Sequence, residues 1–408
     1  MKKKLLIVSP AVPYPLSSGA DIAQHFFLNL LSKDLEIVFC TKVYDTIHKE
    51  KFFNYKYQNT NIKFYYYDAS LSKFSLLNFK IRVYNLFNRL FGVSNNKSLK
   101  EKKYKPYNNE IDIEFGSFVN ELIKKENPDF LQIEFLNYAN LAQIISEKIS
   151  KIFVHHEIWY KAVFHRNKKT VFYSDEEMQR LKDDEIRLLS FYDKIIVFND
   201  NDKSILEKEL KDKEIIISPF GIPEELIKKN KVSKSYKNLL FIGGEVHFAN
   251  KQGLEWFLND IYIPNISNID YNIIIIGNWS KETISKYKAL TKVVFLGFVD
   301  DIENYYNESV LLVPIISGSG LRSKIINAFA NKIPVISTGF GAEGLFNSIN
   351  GCDYFLKFEN ENDFLIILKK ISQKEINLSE IALRGYDFYY SFSRKLKYIR
   401  MSIYEKDY

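Results

Sequence analysis

The chain has 408 residues, 46% of them hydrophobic and 26% charged, which excludes a disordered protein and points to two domains rather than one core. The formal charge is +7, yet residues 51–110 hold twelve Lys/Arg against three Asp/Glu, 12 − 3 = +9, leaving −2 for the remainder. The excess belongs to one segment, and no nucleic-acid-binding signature accompanies it.

In chain order, MKKKLLIVS opens with an apolar run of only Leu5 to Val8, too short for the roughly 7–15 apolar residues of a signal peptide. A first buried strand is the expectation. No run reaches the roughly 18 apolar residues of a membrane span, so the expected location is cytoplasmic. After this strand, Ser17-Ser18-Gly19-Ala20 leads into a helical pattern. Small residues at a helix start let a ligand approach the backbone, which makes Gly19 a candidate.

Further strands are expected at 36–41, 130–135, 151–156, 194–199 and 214–219, and a second series at 238–244, 271–277, 292–297, 310–315 and 334–338. Near-continuous apolar runs spaced by helices indicate parallel sheets covered on both faces. The polar stretch 219–238, broken by Pro219 and Pro223, supplies a linker at 220–237 between a first domain, 1–219, and a second, 238–385. Residues 386–408 read as a C-terminal helix. Segment 62–110 fits neither series. Its stretch 74–92 reads as a helix whose basic side is a solvated face or, alternatively, a contact to anionic lipid. Cys40 and Cys352 lack metal-ligand spacing and read as buried thiols in a reducing compartment.

Ligands of doubly wound sheets sit beyond the carboxyl ends of the strands. At one such end lie His155, His156 and Glu157. Adjacent histidines in extended backbone point to opposite faces, so one is expected inward and one toward the site. A zinc centre is not expected, because no second ligand cluster has the spacing. At another end, Gly318-Ser319-Gly320-Leu321-Arg322-Ser323 imitates a dinucleotide loop, but Ser323 replaces the last glycine and the next strand, PVIST, ends without an acid. Glycine backbone, a helix start, Arg322 and Lys324 remain. Cations oppose the dipole of a helix N-terminus unless an anion occupies it, so the loop is expected to cradle a phosphate. The following turn, Gly339 to Leu345, offers Glu343 as its single acid.

In order and spacing, FIGGEVHFANKQGLEWFLNDIYIPNI, YNIIIIGNW, VVFLGFVDDIENYYNESVLLVPI and SGSGLRSKIINAFANKIPVISTGFGAEGL resemble the retaining GT-B glycosyltransferases of family 4. LQIEF, FVHHE, YDKIIVFNDNDKSIL and IISPFGIP extend the likeness through the first domain. The resemblance implies two Rossmann-like domains facing a central cleft, with a C-terminal helix crossing back to the first. It implies a nucleotide-sugar donor held by the second domain, and a glycan, lipid-linked or protein acceptor against the first. Metal and cofactor are not implied. Gly318, Ser319, Gly320, Arg322 and Lys324 would hold the diphosphate, Gly19 would line the opposite side, and His155 or His156 would approach the sugar or acceptor hydroxyl.

Two departures stand out. Ser319 and Asn327 occupy the positions of two glutamates that many relatives carry, the second of which binds ribose. Gly243-Gly244 replaces the usual Gly-Arg, with Lys251 as the partial substitute cation. The implied function is retaining sugar transfer in bacterial surface glycan or glycoprotein synthesis. Alternatives are a weakened nucleotide-sugar-binding subunit assisting a partner transferase and, with less support, a sugar-nucleotide epimerase.

Overall fold

The first strand, β1 (Lys4–Ser9), buries Leu5, Leu6, Ile7 and Val8 almost completely. It pairs on its two edges with β2 (Glu36–Val43) and β4 (Phe130–Glu134), both parallel, and burial of both its faces requires helices on both sides of the sheet. A computed structural model describes residues 2–70, 111–145, 148–167, 173–228, 231–299, 301–318, 320–345 and 354–405. The chain divides into two compact units: 1–156 with 170–196 and 206–216, and 157–169 with 197–205 and 217–408.

The sheet of the first unit has the order β3-β2-β1-β4-β5-β6-β7, adding β3 (Lys63–Asp68), β5 (Ser150–Val154), β6 (Lys194–Val197) and β7 (Glu214–Ile217). Helices α1 (Gly19–Leu31), α2 (Thr46–Gln58) and α3 (Ile113–Glu126) connect its strands. Local chemistry marks their ends. Ser18 and Asp21 form a capping box at α1, Asp45 and Asp112 cap α2 and α3, and Asn127 closes α3 in the left-handed region at φ 47°.

Helices α4 (Trp159–Asn167), α5 (Asp175–Leu189) and α6 (Asp200–Glu209) follow. The edge strand β3 lies in a segment that fits neither series by pattern, because its alternation of Lys, Phe and Tyr is that of a partly exposed edge. The helix expected at 74–92 and Cys352 fall outside the described residues. Cys40 is fully buried, which pushes its thiol well up.

The second sheet has the order β10-β9-β8-β11-β12-β13: β8 (Asn238–Ile242), β9 (Asn272–Ile276), β10 (Val293–Gly297), β11 (Ser309–Val313), β12 (Val335–Ser337) and β13 (Leu356–Lys357). Its described pairings are all parallel. Around it run α7 (Phe248–Trp256), α8 (Lys281–Lys286), α9 (Ser323–Ala330), α10 (Glu361–Ser372) and α11 (Leu378–Ser402). Leu239, Phe241, Phe257, Ile273, Leu312 and Phe364 centre its core, and each such side chain contributes about 1.5–3 kcal/mol by leaving water.

The C-terminal helix begins at Leu378, earlier than the pattern suggests. It packs on α9 so closely that a Cβ at Gly385 would lie 2.6 Å from the Phe329 ring. The stretch expected as a linker is hydrogen-bonded into the second unit. The Ile222 N–H donates to the Tyr389 hydroxyl at 3.0 Å, and the Lys228 N–H to Asn331 Oδ1 at 2.8 Å.

Candidate active site

Beyond β11 the chain turns through Pro314 to Arg322 before entering α9. The Ser317 hydroxyl bonds Gln252 on α7. Gly318 sits at φ 118°, and a Cβ there would stand 3.1 Å from Arg322 Nη2, so glycine both permits the turn and makes room for the guanidinium. Arg322 occupies the N-cap position of α9 without capping it through its side chain, and its Nη1 donates to the Gly320 carbonyl at 3.2 Å. Burial lowers the guanidinium's pKa, while the carboxylates of Glu157, Glu343 and Asp202 oppose that shift. Ser319 lies outside the described residues.

Lys324 reaches from the first turn of α9 to the end of β8. Its Nζ donates to the Ile242 carbonyl at 2.6 Å and to Asn250 Oδ1 at 3.0 Å, and stands 5.2 Å from the centroid of the Phe241 ring. Burial, then the neighbouring charge of Arg322, brings its pKa down to about 7. The two cations of the loop are thus close enough to oppose each other's charge, an arrangement that an anion would relieve.

The adjoining turn is built to the same tolerance. A Cβ at Gly243 would lie 2.6 Å from the Asn250 amide, and one at Gly277, φ 135°, would lie 2.5 Å from the Gly243 carbonyl. That carbonyl accepts from the Trp279 indole N–H at 2.9 Å. Lys251, the expected substitute cation, is instead held by Glu245 at 2.5 Å. Glu245 also accepts from the Ser280 N–H at 2.6 Å and the Thr283 hydroxyl at 2.8 Å, and Lys251 leads these contacts in drawing its carboxyl down to about 2.

Asn327 lies on α9, where its Oδ1 accepts from Asn331 Nδ2 at 2.6 Å. Glu343, in the turn after β12, accepts from Lys161 at 3.3 Å and Asn201 at 2.6 Å. Gly318, Gly320, Arg322, Lys324, Gly243 and Asn250 therefore converge at the carboxyl edge of β8 and β11. Lys161, Asp202, Glu157 and Glu343 supply the charged surroundings of Arg322. Sequence reasoning did not single out Asn250 or Lys161. Asn250 lies within the stretch FIGGEVHFANKQGLEWFLNDIYIPNI that carries the resemblance; Lys161 had no signal.

Gly19 and the two histidines belong to the first unit. Gly19 begins α1 directly after its cap, Ser18. The His155 side chain is 2% exposed and lies 2.8 Å from the fully enclosed Glu185 carboxylate, the inward-facing member of the pair. His156 is half-buried, its Nε2 3.4 Å from Glu134 Oε2.

Two parallel α/β sheets with a cationic glycine loop at the carboxyl edge of the second define a GT-B-type protein. Solved structures agree in fold. Sucrose-phosphate synthase from Thermosynechococcus elongatus superposes with a TM-score of 0.66 at 12% identity, covering 99% of this chain and 98% of that one. Anabaena HepE in complex with UDP and glucose gives 0.61 at 11% identity, covering 99% and 98%. Residues 236–371 match the family described as Glycosyl transferases group 1. An "Uncharacterized 44.6 kDa protein in cps region" of Klebsiella pneumoniae is 27% identical over 248 residues, 57% of this chain. The chain spans 61% of that relative's length. Among the described residues no helix is long and apolar enough to cross a membrane.

Proposed function

We propose that the protein transfers a sugar, with retention, from a nucleotide-sugar donor to a glycan, lipid-linked or protein acceptor in bacterial surface glycan or glycoprotein synthesis. The observation that carries this reading is the convergence of Arg322 and Lys324 on a glycine loop at the carboxyl edge of the second sheet. Cleaving a sugar from a nucleotide leaves a diphosphate whose charge grows as the bond breaks. Preorganised cations and loop N–H groups facing that oxygen lower the barrier more than they favour the ground state. The two side chains take the role a divalent ion fills elsewhere, so the reaction proceeds without metal. In the retaining mode the acceptor hydroxyl attacks from the leaving-group side.

A second reading is a nucleotide-sugar-binding subunit that assists a partner transferase. It is favoured by Asn327, whose carbonyl oxygen is engaged by Asn331 where relatives carry a ribose-binding carboxylate. Screening UDP-, GDP-, ADP- and CMP-linked sugars for binding tests both. UDP-sugars come first, since HepE was solved with UDP and glucose. Failure of all four to bind rejects both readings. Binding without release of nucleoside diphosphate in the presence of acceptor extracts leaves only the assisting role. The location proposed with this function is the cytoplasm, the basic segment 51–110, of which 71–110 lie outside the described residues, making contact with anionic lipid at the inner membrane face. Sedimentation with anionic against neutral liposomes tests that placement.

A further inference from the structure

Lys324, Asn327 and Asn331 follow one another along α9 at i, i+3 and i+7, the spacing of a single helix face. The first belongs to the glycine loop's cations; the last ends the helix in the interior, with none of its surface exposed. A buried amide needs partners for both its ends, and here the backbone dictates them. Asn331 Oδ1 accepts from the Lys228 N–H at 2.8 Å, and its Nδ2 donates to the Leu226 carbonyl at 3.1 Å. Turning this amide over would set N–H against N–H and oxygen against oxygen. Two main-chain groups of fixed polarity therefore settle its orientation.

The same Nδ2 reaches Asn327, 2.6 Å from its Oδ1 and 3.0 Å from its main-chain carbonyl. A donor is met only by an acceptor, so Asn327 turns its oxygen toward Asn331 and leaves its own Nδ2 at the other end of the amide. That NH2 donates to no group among the described residues, and the residue is half-buried. Asn327 stands three residues past Lys324, a rise of about 4.5 Å. A group joined to an anion in the glycine loop comes within reach of it.

We infer that Asn331 is a positioning residue that makes Asn327 a hydrogen-bond donor, and that the nucleotide meets α9 there with an acceptor oxygen. A carboxylate at this position would take a proton from a ribose hydroxyl. The amide held by Asn331 gives one instead, so the oxygen beside it accepts and its own proton is directed elsewhere. The polarity of the relay follows from the backbone of 226–228; the nucleotide half rests on the proposed transferase reading.

The relay is read without ligand. Side-chain amide hydrogen exchange, followed by NMR in the full chain, should be slow for Asn331 and fast for Asn327. Asn331→Asp keeps an acceptor for the Lys228 N–H but removes the donor, so Asn327 should turn over and its amide become protected. An Asn327 amide still exchanging fast in the folded variant overturns the inference. So does a protected Asn327 amide in the unsubstituted chain, which decides the matter even if the variant fails to fold.

UDP, GDP, ADP and CMP are then titrated, and the one that binds should slow Asn327 exchange. Asn327→Ala should raise its Kd about 5-fold, the loss of one hydrogen bond, and Asn327→Asp at least about 10-fold, because an acceptor then faces an acceptor. Charge repulsion alone would leave the alanine variant unaffected, so an unchanged Kd there overturns the contact. Tighter binding by Asn327→Asp overturns the polarity. If none of the four binds while exchange is as expected, the transferase reading falls with the nucleotide contact, and the relay stands.

Discussion

Lys324 makes donor binding depend on pH in a direction that can be worked out. Burial and the charge of Arg322 hold its pKa at about 7. A bound diphosphate favours the charged ammonium and raises that value, so binding takes up a proton wherever the free protein has lost it. With the free value near 7 and the ammonium fully charged in the complex over this range, affinity scales as one over (1 + 10^(pH−7)). Between pH 6 and pH 8 this factor rises from about 1.1 to about 11, a tenfold weakening, or about 1.4 kcal/mol.

Isothermal titration with the donor identified by screening reads both the affinity and, through buffers of different ionisation enthalpy, the proton uptake. Lys324→Met should bind more weakly at pH 6 and lose the dependence. Flat affinity from pH 6 to pH 8, with no proton uptake at pH 8, refutes the placement of the diphosphate beside Lys324. The stability consequence has the opposite sense. A lysine whose folded value is lowered from 10.5 binds its proton more weakly folded than unfolded, so stability rises with pH between about 7 and 10.5. The Lys324→Met variant should lack that rise.

Arg322→Ala should cut turnover about 100–1,000-fold, the effect of losing one preorganised donor to developing charge, with the thermal melt nearly unchanged; unimpaired transfer rejects the site. His155→Asn should destabilise the first unit by about 3–5 kcal/mol by taking the imidazole away from the enclosed Glu185 carboxylate, whereas His156→Asn should leave denaturant midpoints in place and lower turnover. Equal midpoint shifts in the two variants contradict that division of roles. Gly277→Ala adds a Cβ 2.5 Å from the Gly243 carbonyl at φ 135° and should cost about 1–3 kcal/mol of stability while weakening donor binding. A variant as stable as the unsubstituted chain would show that the 243–244 turn is not tightly set.

Much of this architecture was legible in order along the chain. Runs such as KLLIVS and NLLFI announce strands buried on both faces, since only a parallel sheet covered by helices consumes that much apolar sequence. The cationic glycine loop could also be read, because a helix start that carries Arg322 and Lys324 contradicts its own dipole unless an anion is expected. The edge strand β3 was not legible, because partial exposure dilutes the apolar run that marks its neighbours.

What the sequence could not decide was which polar group meets which. His155 and His156 are indistinguishable as letters; a buried carboxylate thirty residues on claims one, and the other lies beside Glu134 on the Phe135 ring. Lys251 has the chemistry of a phosphate-binding cation, yet Glu245 takes it. Asn250 became a partner of Lys324 only when the fold brought the first turns of α7 and α9 within hydrogen-bond reach. Periodicity and local charge are properties of neighbours in sequence, and they determined the elements and the cationic glycine loop. Burial, and the pairing of polar groups that burial enforces, depends on residues brought from tens of positions away, so only the tertiary structure settled which polar side chains pair with one another.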